Sequence, residues 1–288
     1  MTLSANQLAI RSTRIGSSEI ATIAGLNPFQ RPIDLWQKKM GLPVAERSDE
    51  MEDSAEWGHR MEPVIAAWYE DTCGVRLIES PTLVCEAYPW ACATPDRLYA
   101  DLSQGIEIKN VGERVSWHWQ PEIGGEPDYV RAQCHWQMLA TGLRKWDVVA
   151  SVGGASPRIY PVERDDEFMA TLVQAGLEFQ ALIEHETPPP VDGSDSYKDF
   201  LSRRFPMGNG RERDESIGAL ARKYETLRDE VKNGKSAQEE VANQLRARIG
   251  NLDEVWGEWG KVSWKTDKSG KRTLRVSSKA DNLTNVEF

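Results

Sequence analysis

Three consecutive prolines, Pro188, Pro189 and Pro190, stop regular structure late in the chain. A proline has no backbone N–H and a fixed φ, so neither a helix nor a central strand continues through such a run. The small polar stretch Val191-Asp192-Gly193-Ser194-Asp195-Ser196 follows at once, with the composition of a linker. The chain of 288 residues is therefore expected to divide into a body, 1–190, and a tail, 191–288. The body alone is long enough to bury a core.

Charge divides near the same place. The whole chain holds 35 Lys and Arg against 45 Asp and Glu, a formal charge of −10, yet residues 197–288 hold 19 basic against 15 acidic side chains. Residues 1–196 hold the other 16 and 30. An acidic body does not exclude nucleic acid, because phosphate responds to the local field and not to the sum. Apolar runs are short, Val64–Trp68 being ended by Glu70, so no membrane span is expected. The first residues lack the basic start and apolar stretch of a secretory signal, and a soluble, cytosolic protein is expected. Cys73, Cys85, Cys92 and Cys134 read as free thiols, since no Cys-x-x-Cys or Cys/His ligand spacing occurs. An iron–sulfur cluster would require the fold to gather four scattered thiols.

Periodicity and punctuation give the element order. Helices are expected over 17–24, 32–40 and 53–72, the last with Met61, Ile65, Trp68 and Tyr69 on one face and Pro63 either opening or kinking it. Short alternating segments at 75–78, 82–87, 91–99 and 105–110 read as a strand meander. A helix over 128–141, strands over 145–152 and 158–162, and a helix over 165–185 complete the body. In the tail, helices over 212–232 and 236–249 are expected to form a hairpin turning at Asn233-Gly234. Strands over 259–265 and 272–277 are expected to form a β-hairpin around Asp267-Lys268-Ser269-Gly270.

The chemistry concentrates in Thr94-Pro95-Asp96-Arg97-Leu98-Tyr99 and Ile106-Glu107-Ile108-Lys109-Asn110. Successive side chains of a strand alternate faces, so Glu107 and Lys109 point one way while Ile106 and Ile108 point into the core. If the two strands pair through the turn at 102–105, Asp96 comes beside Glu107. Two carboxylates and an ammonium then meet. Acids that close repel unless a hard cation lies between them, and Mg²⁺ is commonly held by one or two carboxylates, waters and substrate phosphate oxygens. The lysine can orient or help deprotonate an attacking water and offset charge growing on phosphate. Taken alone, the pattern also fits a turn followed by an exposed strand with a surface ion pair worth under about 1 kcal/mol.

Pro95-Asp96 and Glu107-Ile108-Lys109 match both halves of the motif of the PD-(D/E)xK nuclease superfamily, which this arrangement resembles. Three further blocks narrow the resemblance. They are Arg14-Ile15-Gly16-Ser17-Ser18-Glu19-Ile20 with Gly25-Leu26-Asn27-Pro28-Phe29 and Leu35-Trp36, then Gly58-His59-Arg60-Met61-Glu62-Pro63, then the helix Ala132-Gln133-Cys134-His135-Trp136-Gln137-Met138-Leu139-Ala140-Thr141-Gly142. Together they are similar to the YqaJ-type viral recombinases, relatives of the phage lambda exonuclease, over residues 11–186.

The resemblance implies an α/β fold, a PD-(D/E)xK restriction-endonuclease-like core with a mixed central sheet flanked by helices. It implies a Mg²⁺-dependent (or Mn²⁺-dependent) DNA exonuclease using one or two ions. Asp96, Glu107 and the carbonyl of Ile108 match its metal ligands, Glu62 a further acid, Lys109 the catalytic lysine and Gln133 the first glutamine of its helix. The chain departs from the pattern two positions on, where His135 stands and Gln137 lies beyond, so which of Gln133, His135 and Gln137 faces the metal stays open. Arg14, Ser17 and Ser18 match the block that grips a 5′-phosphate; the plain reading is a Ser N-cap with a solvated Arg.

The resemblance further implies 5′ to 3′ action on linear duplex DNA, a single-strand annealing protein as partner, a homo-oligomer such as a ring-shaped trimer, and a phage origin. Its rivals are an endonuclease or single-strand nuclease on the same core, and a DNA-binding protein without catalysis. In the tail, Lys261, Lys265, Lys268, Lys271, Arg272, Arg275 and Lys279, with Trp256, Trp259 and Trp264, suit contact with a DNA backbone and its bases. They equally suit solvated lysines over packed indoles.

Overall fold

The computed structural model describes residues 4–44, 49–119, 125–208, 210–211 and 214–278, in two compact units, Met1–Met207 and Gly208–Phe288. The first unit opens with α1 (Ala5–Ser12), β1 (Ile15–Gly16), α2 (Ser17–Ile23), α3 (Pro32–Lys39) and the long α4 (Asp49–Cys73). The strands β2 (Leu77–Ile78), β3 (Leu83–Val84), β4 (Ala91–Ala93), β5 (Arg97–Tyr99) and β6 (Gly105–Val111) follow, then a 3₁₀ turn at Glu113–His118. After it come α5 (Asp128–Thr141), β7 (Lys145–Val152), β8 (Arg158–Glu163), α6 (Asp166–Glu184) and α7 (Asp195–Arg204).

The central sheet has the order β2-β5-β6-β7-β8. It is mixed, as expected: β6 runs parallel to β7 and every other neighbour is antiparallel. Residues of alternate parity on each strand feed opposite sides. Ile106, Ile108 and Val149 pack with Ile65, Ala66 and Tyr69 of α4, while Trp146, Val148 and Ala150 pack with Val130, Cys134 and Met138 of α5. Each fully buried aliphatic side chain of this kind contributes about 1.5–3 kcal/mol. The four cysteines are free thiols, Cys73 exposed and the others buried.

Three features of this unit differ from the sequence reading. The strand expected over 91–99 is two, because Thr94-Pro95-Asp96 interrupts it; β4 joins β1 and β3 in a separate small sheet, and only β5 enters the central one. Helix α1 was not expected; Ser4 caps it, its hydroxyl accepting from the N–H of Gln7 while Gln7 Oε1 accepts from the N–H of Ser4. The first unit also extends past the prolines to Met207, rather than ending at 190. Its last helix, α7, is held to the body by Phe200 edge-on to Trp36 and by the Tyr197 hydroxyl donating to the carbonyl of Pro189 at 2.8 Å.

The second unit contains α8 (Gly218–Ile249) and an antiparallel sheet of β9 (Glu254–Gly257), β10 (Gly260–Thr266) and β11 (Arg272–Ser278). The expected helical hairpin is one continuous helix. Its apolar residues Ile217, Leu220, Tyr224, Leu227 and Val231 keep a 3–4 spacing, which Val241 and Leu245 resume in the same phase beyond Asn233-Gly234, and a single interior glycine costs a helix only about 1 kcal/mol. The expected β-hairpin gains a third strand, β9.

Gly105 lies opposite Trp146 across the β6–β7 ladder, and a Cβ there would fall inside the van der Waals envelope of that buried indole. Gly105→Ala is expected to destabilise the first unit by about 2 kcal/mol, read by denaturant unfolding. An unchanged midpoint would show that Trp146 moves freely.

Candidate active site

The reversal between β5 and β6 brings the two acids together. Arg97 lies opposite Ile106, which sets Asp96 level with Glu107, and the backbone N–H of Ile108 donates to Asp96 Oδ2 at 2.7 Å. Leu102 takes a left-handed conformation (φ 58°) at the turn, and Asp101 Oδ1 accepts from the N–H of Ser103. Glu107 and Lys109 share a face, as alternation requires, and that face looks onto α5.

Glu107 is 2% exposed and its carboxylate is fully engaged. Lys109 Nζ donates to Oε1 at 2.5 Å, Gln133 Nε2 to Oε1 at 2.6 Å and Gln137 Nε2 to Oε2 at 2.7 Å. Lys109 also donates to Gln133 Oε1 at 3.0 Å. Gln133 and Gln137 stand one helical turn apart and therefore on one face, the one turned to Glu107.

His135 is not part of this set. Its Nδ1 meets the carbonyl of Arg131 at 2.9 Å, its Nε2 accepts from the N–H of Asp165 at 3.0 Å, and its ring packs edge-on to Phe168. Those bonds assign the proton to Nδ1. The ring ties α5 to the cap of α6, so the expectation that His135 touches water or phosphate is corrected; position i+2 on a helix points away from i and i+4.

Glu62 comes from α4 and lines the same pocket as Asp96, Glu107 and Lys109. Its Oε1 accepts from Arg97 Nη1 at 2.7 Å, in a pair about nine-tenths buried. Sequence reasoning missed Arg97. Strand alternation turns it to the side opposite Asp96, where α4 lies, and a buried Glu needs such a counter-charge.

The residues that the resemblance matches to a 5′-phosphate grip do not all reach the pocket. Ser17, Ser18, Thr94 and Arg11 line the pocket, and Arg14 does not. Arg11 Nη2 donates to Ser18 Oγ at 3.0 Å and Nη1 reaches Thr94 Oγ1 at 3.4 Å. Arg14 instead donates from Nε to the carbonyl of Pro89 at 2.9 Å and from Nη1 to that of Ile10. Its own carbonyl accepts from Lys39 Nζ at 2.6 Å, and Lys39 pairs with Glu19 at 2.7 Å. The Ser4–Gln7 capping pattern was the signal that could have placed a helix, and hence Arg11, at this position.

The donor set suits a hard cation. Burial first, then the charges of Glu107 and Glu62, push the Asp96 carboxyl well above the ordinary carboxylate range, against the pull of Lys109 and the Ile108 amide. Burial works against the ammonium form of Lys109, but Glu107 and Asp96 outweigh it and raise its pKa above the lysine norm. A proton or a cation relieves such crowding. Among the described residues no three His, Cys, Asp or Glu side chains stand as a ready-made ligand set: Glu107 is turned to Lys109 and the glutamines, and Glu62 to Arg97.

In the tail, alternation puts Lys261, Lys265, Arg275 and the 74%-exposed Trp256 on one face of the small sheet. Glu254 lies among them, 3.0 Å from Lys265. Arg272 is on the other face. It stacks 3.8 Å over Trp264 and donates to the carbonyls of Trp264, Gly250 and Leu252, so it is a structural residue and not an open phosphate donor. Lys271 is exposed at the turn; Lys279 lies outside the described residues.

Residues 7–144 match the family model described as the YqaJ-like viral recombinase domain. The chain is 25% identical over 263 residues to the uncharacterized protein YqaJ of Bacillus subtilis (strain 168), covering 85% of this chain and 81% of that one. Its fold is similar to the crystal structure of an alkaline exonuclease, LHK-Exo, from Laribacter hongkongensis, with a TM-score of 0.53 and 20% identity over 70% of this chain and 97% of the other. The same exonuclease in complex with dAMP matches with a TM-score of 0.53 and 19% identity, over the same shares of the two chains. The mixed sheet flanked by helices is thus a fold shared with that alkaline exonuclease. Among the described residues no helix is long and apolar enough to cross a membrane.

Burial, the largest influence, lowers the His135 pKa, opposed by the Arg131 carbonyl and Asp165 and aided by Arg131 and Arg164. A neutral form favoured by folding gives stability that is complete above the ordinary value of about 6.5 and fades as pH falls through the lowered one. The melting temperature of the native protein is therefore expected to drop more steeply between about pH 7.5 and 5.5 than that of His135→Gln. Parallel profiles would contradict the assignment.

Proposed function

We propose that the chain, whose residues 7–144 match the family model of the YqaJ-like viral recombinase domain, is a metal-dependent DNA exonuclease acting 5′ to 3′ on linear duplexes. The observation that carries this reading is the meeting of Asp96, Glu107 and Lys109 in one pocket that Glu62 and Gln133 also line. The fold neighbour's complex with dAMP, a 5′-mononucleotide, is consistent with it.

Asp96, Glu107 and the carbonyl of Ile108 would hold Mg²⁺ or Mn²⁺, with Glu62 beside a second ion. When bound, such an ion supplies Lewis-acid stabilisation of charge on the phosphate and the leaving oxygen. Lys109 orients the attacking water and offsets charge on the phosphate oxygens. Gln133 and Gln137 hold Glu107 in place, and Gln133 also fixes Lys109. Water oxygen bonds to phosphorus, the P–O3′ bond breaks, the water's proton passes to solvent and the leaving oxygen gains one.

Arg11, Ser17, Ser18 and Thr94 form the polar wall suited to a terminal 5′-phosphate, with a bidentate guanidinium as the main donor. The basic face of the tail, Lys261, Lys265 and Arg275 with Trp256, suits the DNA backbone and its bases. The proposal extends to a single-strand annealing protein as partner and a homo-oligomer, such as a ring-shaped trimer.

With Mg²⁺, the protein is expected to degrade linear duplex DNA and to spare closed circles, and chelation should abolish the activity. Lys109→Ala should lose about 100-fold or more in turnover while keeping DNA affinity. Rapid loss of circular DNA would instead point to an endonuclease. Arg11→Ala should erase the preference for 5′-phosphorylated over 5′-hydroxyl ends, and Arg14→Ala should retain it; the opposite pattern would return the phosphate to Arg14.

A further inference from the structure

Four aromatic rings cluster on segments that adjoin residues of the active site in sequence, and the chemistry above uses none of them. Trp117 stacks on His118 with ring centroids 3.6 Å apart and planes 27° from parallel. Phe29 meets His118 edge-on at 5.5 Å and Tyr129 at 5.7 Å. Trp117 is 63% exposed and Phe29 52%.

Each ring is carried by a segment tied to the catalytic set. The 3₁₀ turn bearing Trp117 and His118 leaves β6 directly after Gly112, three residues beyond Lys109. Tyr129 lies one helical turn before Gln133 on α5, hence on the same face. Phe29 follows α2, whose first two residues line the pocket. Lys109 also reaches Tyr129 electrostatically, opposing the rise that burial imposes on the hydroxyl's pKa.

A lone exposed aromatic residue means little, but a contiguous aromatic patch beside a polar site marks a ligand surface. Trp117 gives one face to His118, and most of its surface remains open to solvent. Flat rings beside a site for phosphodiesters match flat ligands on the same polymer, since any base can stack on an aromatic side chain whatever its identity. We propose that Trp117, with Phe29 and the rings behind them, forms a stacking platform for an unpaired nucleobase of the DNA strand held at this site. The inference rests on the nuclease reading above and names a substrate feature, the unpaired base, that the metal-binding acids cannot select.

The test uses the full chain with EDTA present, so that binding is read without turnover. Duplexes carrying a short single-stranded extension, with 2-aminopurine in the extension, are titrated with the native protein, Trp117→Ala, Trp117→Phe and Phe29→Ala. The native protein is expected to quench the fluorophore, and Trp117→Ala to lose most of the quenching and about tenfold in affinity for the extended duplex. Trp117→Phe should recover most of both. The salt dependence of binding should not change, because the phosphate contacts are untouched. Circular dichroism melting confirms that these surface variants fold. Equal quenching and affinity in Trp117→Ala and the native protein would overturn the platform and leave the patch to a protein partner. The two readings fail separately: DNA cleavage without any effect of Trp117 defeats only the platform, whereas Trp117-dependent quenching without Mg²⁺-dependent cleavage defeats only the nuclease.

Discussion

The buried carboxylate of Glu107 organises the site. It is an anion taken out of water on a central strand, and three donors from two elements converge on it: Lys109 of its own strand, and Gln133 and Gln137 of the helix that leads to the parallel neighbour strand. A buried charge is tolerated only when so compensated. The compensation also fixes the rotation of α5 against the sheet, and the same antiparallel register that opposes Arg97 to Ile106 then delivers Asp96 to Glu107.

That arrangement holds opposing demands in balance. On one side of the sheet Ile106 and Ile108 pack against α4; on the other Glu107 and Lys109 meet α5. Glu62 reaches the pocket from the α4 side with Arg97 as its buried counter-charge, so the acids converge from both layers. Burial first, and then the crowding of the acids, raise the proton affinity of Asp96. A divalent cation would serve the same end as a proton there while adding the Lewis acidity that phosphodiester hydrolysis needs.

What could be read in the sequence was local or periodic. The pairing of Asp96 with Glu107 followed from two short strands and a turn, and the shared face of Glu107 and Lys109 from strand alternation alone. The mixed core was what the family resemblance implied. What escaped depended on tertiary geometry. Arg14 lies in the block that resembles the family's, yet the carbonyls of Pro89 and Ile10 hold its side chain elsewhere, and Arg11, on a helix that motif reading passed over, takes the place beside Ser18. His135 looked chemical because histidine so often is, but the 100° step of a helix turns it from the site. Asn233-Gly234 looked like a turn, and the unbroken apolar spacing on either side overrode it. Arg272 looked like one more basic residue until its stack on Trp264 gave it a structural role.

Crystals soaked with Mn²⁺ and measured at its absorption edge test the central claim most directly. An anomalous peak bound by Asp96 and Glu107, lost in the Asp96→Ala protein, is the predicted result. No peak in that pocket at millimolar Mn²⁺, with both carboxylates well ordered and still facing Lys109 and Arg97, would contradict a metal-dependent nuclease.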